Sequence, residues 1–325
     1  MALFFRKRKQ QINEDELWKE HSNVSRETAT APRRAAHDLH ASIDSEYGDE
    51  FIDFSEPSPT LPRPERPRIF VVANQKGGVG KTTTTVNLAH ALAMGGLNVL
   101  VVDTDPQGNA STALGVPHSP GTKGTYEVLM EGIGIIEHAQ PSPHSPNLHV
   151  LPAAIDLAAA ELELVNMRGR EHRMRDAIMQ YIDESGVDYI FFDCPPSLGL
   201  LTLNALVAST EILVPIQTEY YALEGVTQLM RTIQRVKGNL NDSIELSTIL
   251  LTMYDSRTNL SREVADEVRK HFPTQTLSNE IPRSVRIAEA PSFQQTVLNY
   301  QPKSPGAVAY LAAAKELAER VAVTK

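Results

Sequence analysis

The run KGGVGKTT at residues 76–83 constrains this chain more than any other stretch. Before it stands RIFVVAN (68–74), a continuous β-branched run suited to a strand buried on both faces. After it comes TTTTVNLAHALAMGG, whose pattern predicts a helix ended by Gly95 and Gly96. A glycine-rich loop between a buried strand and a helix is the context that a phosphate-binding loop requires. Gly77, Gly78 and Gly80 let the backbone approach a phosphate closely, and the amide groups around Val79 can then face its oxygens at the helix N-terminus. Lys81 would reach the β- and γ-phosphates of ATP, Thr82 would hold Mg²⁺, and Thr83 would add a hydroxyl near the α-phosphate. The ordinary pattern G-x-x-x-x-G-K-[ST] has glycine where this chain has Gln75, and the departure comes with a second lysine, Lys76.

The rest of the chain from Arg68 repeats the same texture. NVLVVDTD, LHVLP, DYIFFDCPP, EILVPIQ and ELSTILLTMYD read as further buried strands. Between them lie the helical DLAAAELELVN, a basic helix near Arg170 to Ile182, a helix after Leu198, and ALEGVTQLMRTIQRVKG. The last segment, SPGAVAYLAAAKELAERVAV, predicts an amphipathic helix opened by a Ser-Pro turn. Strands alternating with helices predict an α/β fold, a mostly parallel, doubly wound sheet with helices on both faces. In DTDPQGN, Asp103 and Asp105 follow a strand at the edge where ligands of open α/β sheets bind, although the same residues also suit a simple strand-end turn. Asp193 ends YIFFD, the place of a Walker B acid that binds Mg²⁺ through water. Pro195 and Pro196 stiffen the segment behind it into a candidate switch, and Cys194 reads as a small buried side chain.

A chain of 325 residues has room for about two domains. Residues 1–67 differ from residues 68–325, which form the expected ATPase domain. The first 67 begin with a basic run, turn acidic, and end in PSPTLPRPERP, with few apolar residues, so they read as a disordered N-terminal extension and a Pro-rich linker. Leu17, Trp18 and Val24 could share one short helix face, which makes the extension a candidate binding segment for an unidentified partner. His37 and His40 lie there too and read as solvated residues rather than metal ligands. One cysteine excludes an internal disulfide and a Cys-rich metal site. No apolar run approaches the roughly 18 residues of a membrane helix, and MALFFRKRKQQ has its basic and apolar parts in the wrong order for a secretory signal, so a cytoplasmic protein is expected. The net charge of −9 opposes global attraction to nucleic acid and leaves room only for a local basic patch.

The loop KGGVGKTT resembles the signature of the deviant Walker A, or MinD/ParA-type, ATPases. VVDTDPQGNAST (101–112), FFDCPPSLGLLTLNAL (191–206), PIQTEYYALEGV (215–226), LLTMYDSRTNLS (250–261) and IPRSVRIAEAPSF (281–293) narrow the likeness to the chromosome-partitioning ParA/Soj group, from about Arg68 onward. The resemblance implies that Asp105 organises the attacking water and that Asp103 supports the Mg²⁺ and phosphate region. It implies that Lys76 crosses an ATP-dependent homodimer interface to the partner's phosphates, acting as an arginine finger does. It implies non-specific DNA binding through Arg257 and Arg286. Arg283 is a third candidate that could instead face the nucleotide. A nucleoid-associated ATPase stimulated by a ParB-like centromere-binding protein is the resulting expectation. The rival within the family is a MinD-like membrane-cycling ATPase, which would need a basic amphipathic C-terminal helix; the mixed charge of Lys315, Glu316, Glu319 and Arg320 speaks against it. A nitrogenase-type reductase on the same fold is disfavoured by the single cysteine.

Overall fold

The strands are β1 (Arg68–Val72), β2 (Val99–Asp103), β3 (Gln140–Pro141), β4 (Leu148–Leu151), β5 (Tyr189–Asp193), β6 (Glu211–Gln217) and β7 (Glu245–Thr252). They form one sheet in the order β3-β4-β2-β5-β1-β6-β7, parallel except for the antiparallel edge pair β3–β4. This is a computed structural model, and it describes residues 60–220 and 222–320. The expected helix through Leu17, Trp18 and Val24, and the pair His37 and His40, lie outside the described residues.

Alternation along each strand explains the continuous apolar runs. Ile69 and Val71 of β1, Leu100 and Val102 of β2, and Ile190 and Phe192 of β5 enter one core. Phe70 and Val72, Val99 and Val101, and Tyr189 and Phe191 enter the other. Both faces are therefore covered, as a parallel sheet demands.

The second core lies under α1 (Lys81–Met94), α2 (Asn109–Ala113) and the C-terminal helices. The first core takes its helices from α3 (Thr125–Glu131), α4 (Ile135–His138), α5 (Leu157–Leu164), α6 (Arg173–Ser185), α7 (Leu200–Ala208), α8 (Ala222–Lys237) and α9 (Asn259–His271). Three helices close the chain: α10 (Val285–Glu289), α11 (Val297–Tyr300) and α12 (Pro305–Glu319). Gly95 caps α1 and Gly96 follows at φ 82°, and Ser304 accepts the Ala307 N–H in front of Pro305, as the sequence predicts.

Several elements were not expected, among them the short α2, α3, α4, α10 and α11. β3 has two residues and no periodicity to betray it. α9 carries its signal in Thr258, which caps Ser261, and in the buried spacing of Ser261, Ala265 and Val268. Before β1, the stretch assigned to the linker is already fastened to the fold: the Leu61 N–H bonds the Gly95 carbonyl at the end of α1 at 3.0 Å, and Arg63 pairs with Asp188, just before β5, at 3.1 Å.

The opposite end of the chain is tied to the same edge. Arg68 is 2% exposed, pairs with Glu211 at 2.6 Å, and donates to the Leu317 carbonyl at the end of α12. Ala307, Tyr310, Ala313, Ala314 and Leu317 of α12 are all buried in the second core, against α1.

Candidate functional site

The loop after β1 turns through Gly78 (φ 74°) and Gly80 (φ 88°), backbone angles that side chains with a Cβ rarely adopt, and Gly80 opens α1. Gly77 and Gly78 are exposed. Val79 is buried, and its carbonyl accepts the Thr252 hydroxyl at 2.9 Å, which fastens the loop to the end of β7. Lys81 is buried, and its ammonium donates to the Lys76 carbonyl at 3.3 Å. Burial lowers the Lys81 pKa, and Asp193 opposes the shift. A desolvated ammonium at the start of a helix is a strong magnet for phosphate.

The acids reach the same place through strand register. Asp103 of β2 and Asp193 of β5 are direct partners across the parallel ladder. Tyr189 and Phe191, and Val99 and Val101, face the α1 side, so the period of two puts both carboxylates there as well. Both acids are fully buried. Burial, and for Asp193 also the charge of Asp103, pushes both pKa values well above the ordinary carboxylate range. Without added positive charge, the site favours protons on this pair.

The two acids differ in what occupies them. Asp103 is engaged by its own loop: one oxygen accepts the Asp105 N–H at 3.2 Å, and the other accepts the Ser111 N–H at 2.9 Å and its hydroxyl at 2.7 Å. Asp193 accepts the Thr85 hydroxyl at 3.3 Å and has the Thr82 side chain beside it, yet its Oδ2 is enclosed with no partner among the described residues. An orphaned buried carboxylate oxygen beside the Thr82 hydroxyl suits a hard divalent cation. No cluster of three or more His, Cys, Asp or Glu among the described residues could hold a metal alone. A Mg²⁺ shared with phosphates and water needs only one or two carboxylates. Asp105 is half-buried and closes a turn by accepting the Gln107 N–H at 3.0 Å.

A family model described as an AAA domain matches residues 67–246. The chain is 49% identical over 253 residues to the chromosome partitioning protein ParA of Myxococcus xanthus, covering 78% of this chain and 88% of that protein. It is 47% identical over 251 residues to the sporulation initiation inhibitor protein Soj of Bacillus subtilis, covering 77% and 98%. The chain belongs to the ParA/Soj family. Among solved structures, a cobyrinic acid a,c-diamide synthase from Mycobacterium smegmatis with bound ADP and magnesium is similar to this ParA-family chain at 37% identity and TM-score 0.66, covering 77% and 93%.

Beside the phosphate loop, the ParA/Soj chain has a mainly apolar pocket of about 310 Å³, lined by Gly80, Thr83, Met253, Pro282, Arg283 and Ile287, among others. Met253, in this wall, holds φ 53°, an unusual value for a non-glycine residue. Sequence reasoning missed this pocket. Most of its lining comes from LLTMYDSRTNLS and IPRSVRIAEAPSF, runs that carried the resemblance and in which only Arg283 had been given a possible place facing the nucleotide.

The three candidate arginines follow the same two segments, which meet in a bridge between Tyr254 and Pro282. Arg283 lines the pocket. Arg257 and Arg286 are exposed, with 82% and 57% of their side chains accessible, and each holds a local carboxylate: Asp255 at 2.9 Å and Glu289 at 3.0 Å. The Arg257 guanidinium holds the Asp255 carboxyl down at about 2. Lys76 lies on the exposed side of the loop and pairs with Glu219 at 3.2 Å.

Proposed function

We propose that this chain is a DNA-partitioning ATPase that binds ATP with Mg²⁺, pairs with a second copy over the nucleotide, and holds DNA in that state. The observation that carries the reading is the loop 76–83 set over a buried acid pair, with the free oxygen of Asp193 beside Thr82. The family relatives named as partition proteins support the cargo, and the similar structure solved with ADP and magnesium supports the ligand.

In this reading, the amides of Gly77 to Gly80 and the Lys81 ammonium bind the phosphates. Thr83 lines the apolar pocket, which takes the base. Thr82 and Asp193 hold Mg²⁺, which neutralises phosphate charge when bound. Asp103 acts by fixing the loop that carries Asp105, since its own oxygens are spent on Ser111 and the Asp105 N–H. Asp105 orients the water that attacks the γ-phosphate, giving ADP and phosphate. Lys76 delivers a cation to the phosphates of the second copy. Arg257 and Arg286 grip DNA phosphates without reading bases. A ParB-like protein stimulates hydrolysis and so releases the chain from nucleoid DNA. One observation weighs against membrane cycling: the apolar face of α12 is buried on the core.

The deciding experiment is Asp105→Ala assayed for ATP turnover and DNA retention together. The expected result is an ATP-dependent, DNA-bound dimer with turnover reduced at least tenfold. Normal turnover would remove Asp105 from the chemistry, and failure of an ATP-loaded dimer to retain any DNA would remove the partition role.

A further inference from the structure

The two lysines of the phosphate loop are held in different ways. Lys81 is buried in the site. Lys76 keeps 38% of its side chain exposed and carries its ammonium 3.2 Å from Glu219 Oε2, in a carboxylate that is 49% exposed. Glu219 sits two residues beyond the end of β6, on the sheet edge where the phosphate loop begins. It does not hang freely: its N–H bonds the Gln217 carbonyl at 2.8 Å, and the Gln217 side-chain amide donates to its other oxygen. The backbone of Lys76 is tied to the same strand. Its N–H donates to Asn74 Oδ1 at 3.0 Å, and Asn74 in turn donates to the Pro215 carbonyl of β6 at 2.9 Å. One strand thus fixes where Lys76 starts and where its charge ends.

We propose that Glu219 is a positioning residue for Lys76: it holds the ammonium in the single chain until nucleotide phosphates on a second copy displace the carboxylate. The proposal rests on the role in trans given to Lys76 above. A half-exposed lysine–carboxylate pair is weak enough to exchange, while a triphosphate offers more charge at one point. While the pair persists, the cation is withheld from the nucleotide of its own chain. Assembly, rather than nucleotide binding, then sets when the charge is delivered.

Glu219→Gln removes the charge and keeps the size. With a non-hydrolysable ATP analogue and Mg²⁺, sedimentation should show half-maximal dimerisation at about two- to fivefold lower protein concentration than wild type. Nucleotide affinity of the single chain should stay unchanged, and Glu219→Asp should lie between the two. The shift should vanish when Lys76→Ala is also present, which a merely structural role for Glu219 would not produce. If Glu219→Gln leaves dimerisation unchanged or weakens it while Lys76→Ala impairs it, the Glu219 role is wrong and the Lys76 reading stands. A shift that persists in the Lys76→Ala background overturns the role as well. If Lys76→Ala dimerises like wild type, the reading in trans falls, and this proposal falls with it.

Discussion

Removing Arg257 and Arg286 together should erase a defined part of the salt dependence of DNA binding. Each chain offers these two exposed guanidiniums, and a symmetric dimer offers four. Counterion release gives a log–log slope of about −0.9 per phosphate neutralised, so these four contribute roughly −3.6. Raising salt fourfold, from about 50 to about 200 mM, should therefore cost this part of the affinity roughly 150-fold. The internal pairs alter the affinity but not that slope. Both arginines must leave a carboxylate, Asp255 or Glu289, to take a phosphate. The condensed ions that are released belong to the DNA, whereas a lone freed carboxylate gathers few. Asp255→Asn should accordingly strengthen DNA binding with the slope preserved. Arg283 lines the apolar pocket beside the phosphate loop, which we propose takes the base, so Arg283→Ala should weaken nucleotide binding and leave the slope alone. The assay is fluorescence anisotropy of the ATP-loaded dimer on two unrelated duplexes across a salt series. A double variant with the wild-type slope, or an Arg283 variant that alone flattens it, refutes the assignment.

Lys81→Ala should reduce binding of a fluorescent ATP analogue at least tenfold, since it deletes the buried cation of the loop; wild-type affinity would disprove the phosphate-site geometry. The raised pKa values of Asp103 and Asp193 mean that the folded chain binds more protons than the unfolded one between the ordinary carboxylate range and about pH 8. The contribution of this pair to the stability of the nucleotide-free protein should therefore be fully present below that window and be lost as pH rises through it, as denaturant titrations of wild type against Asp193→Asn can test. Mg²⁺-nucleotide affinity should rise with pH over the same window, by up to about tenfold per unit, with proton release measurable by calorimetry in two buffers. Arg68→Met should cost about 3–5 kcal/mol by leaving Glu211 buried and unpaired, and adding Glu211→Leu should restore most of it; a single variant within about 1 kcal/mol of wild type would show the pair to be dispensable.

The sheet and the phosphate loop could be read from sequence because each is encoded locally. RIFVV, VLVVD and YIFFD are buried on both faces, and the six expected parallel strands are all present. KGGVGKTT announces its own turns. Features that depend on distant segments could not be read in this way. The register that sets Asp103 beside Asp193 joins strands 90 residues apart, and nothing in either strand reveals that Asp103 is spent on Ser111 while Asp193 is not. The apolar pocket beside the phosphate loop needs Gly80, Met253 and Arg283 from three segments. Glu219 looked like part of a family motif and no more, because its partner Lys76 lies 143 residues earlier. The split among the three arginines, two exposed and one lining the pocket, depends on how the two segments meet at the Tyr254–Pro282 bridge and not on their shared charge.

One row of the sheet has a bearing on how this chain can change in length. Leu213, Val72, Asp193 and Asp103 stand side by side across four parallel strands, on the last level before the phosphate loop departs. Inserting or deleting a single residue within β2 or β5 would shift one acid by a level and turn it to the opposite face. The chain could still bury its apolar residues, and yet the two carboxylates would no longer meet. Distances from the start of each strand to its acid thus behave as a fixed ruler. Single-residue indels in β1, β2 or β5 should silence the ATPase even in a folded protein, whereas the exposed turn at 119–123 should absorb them.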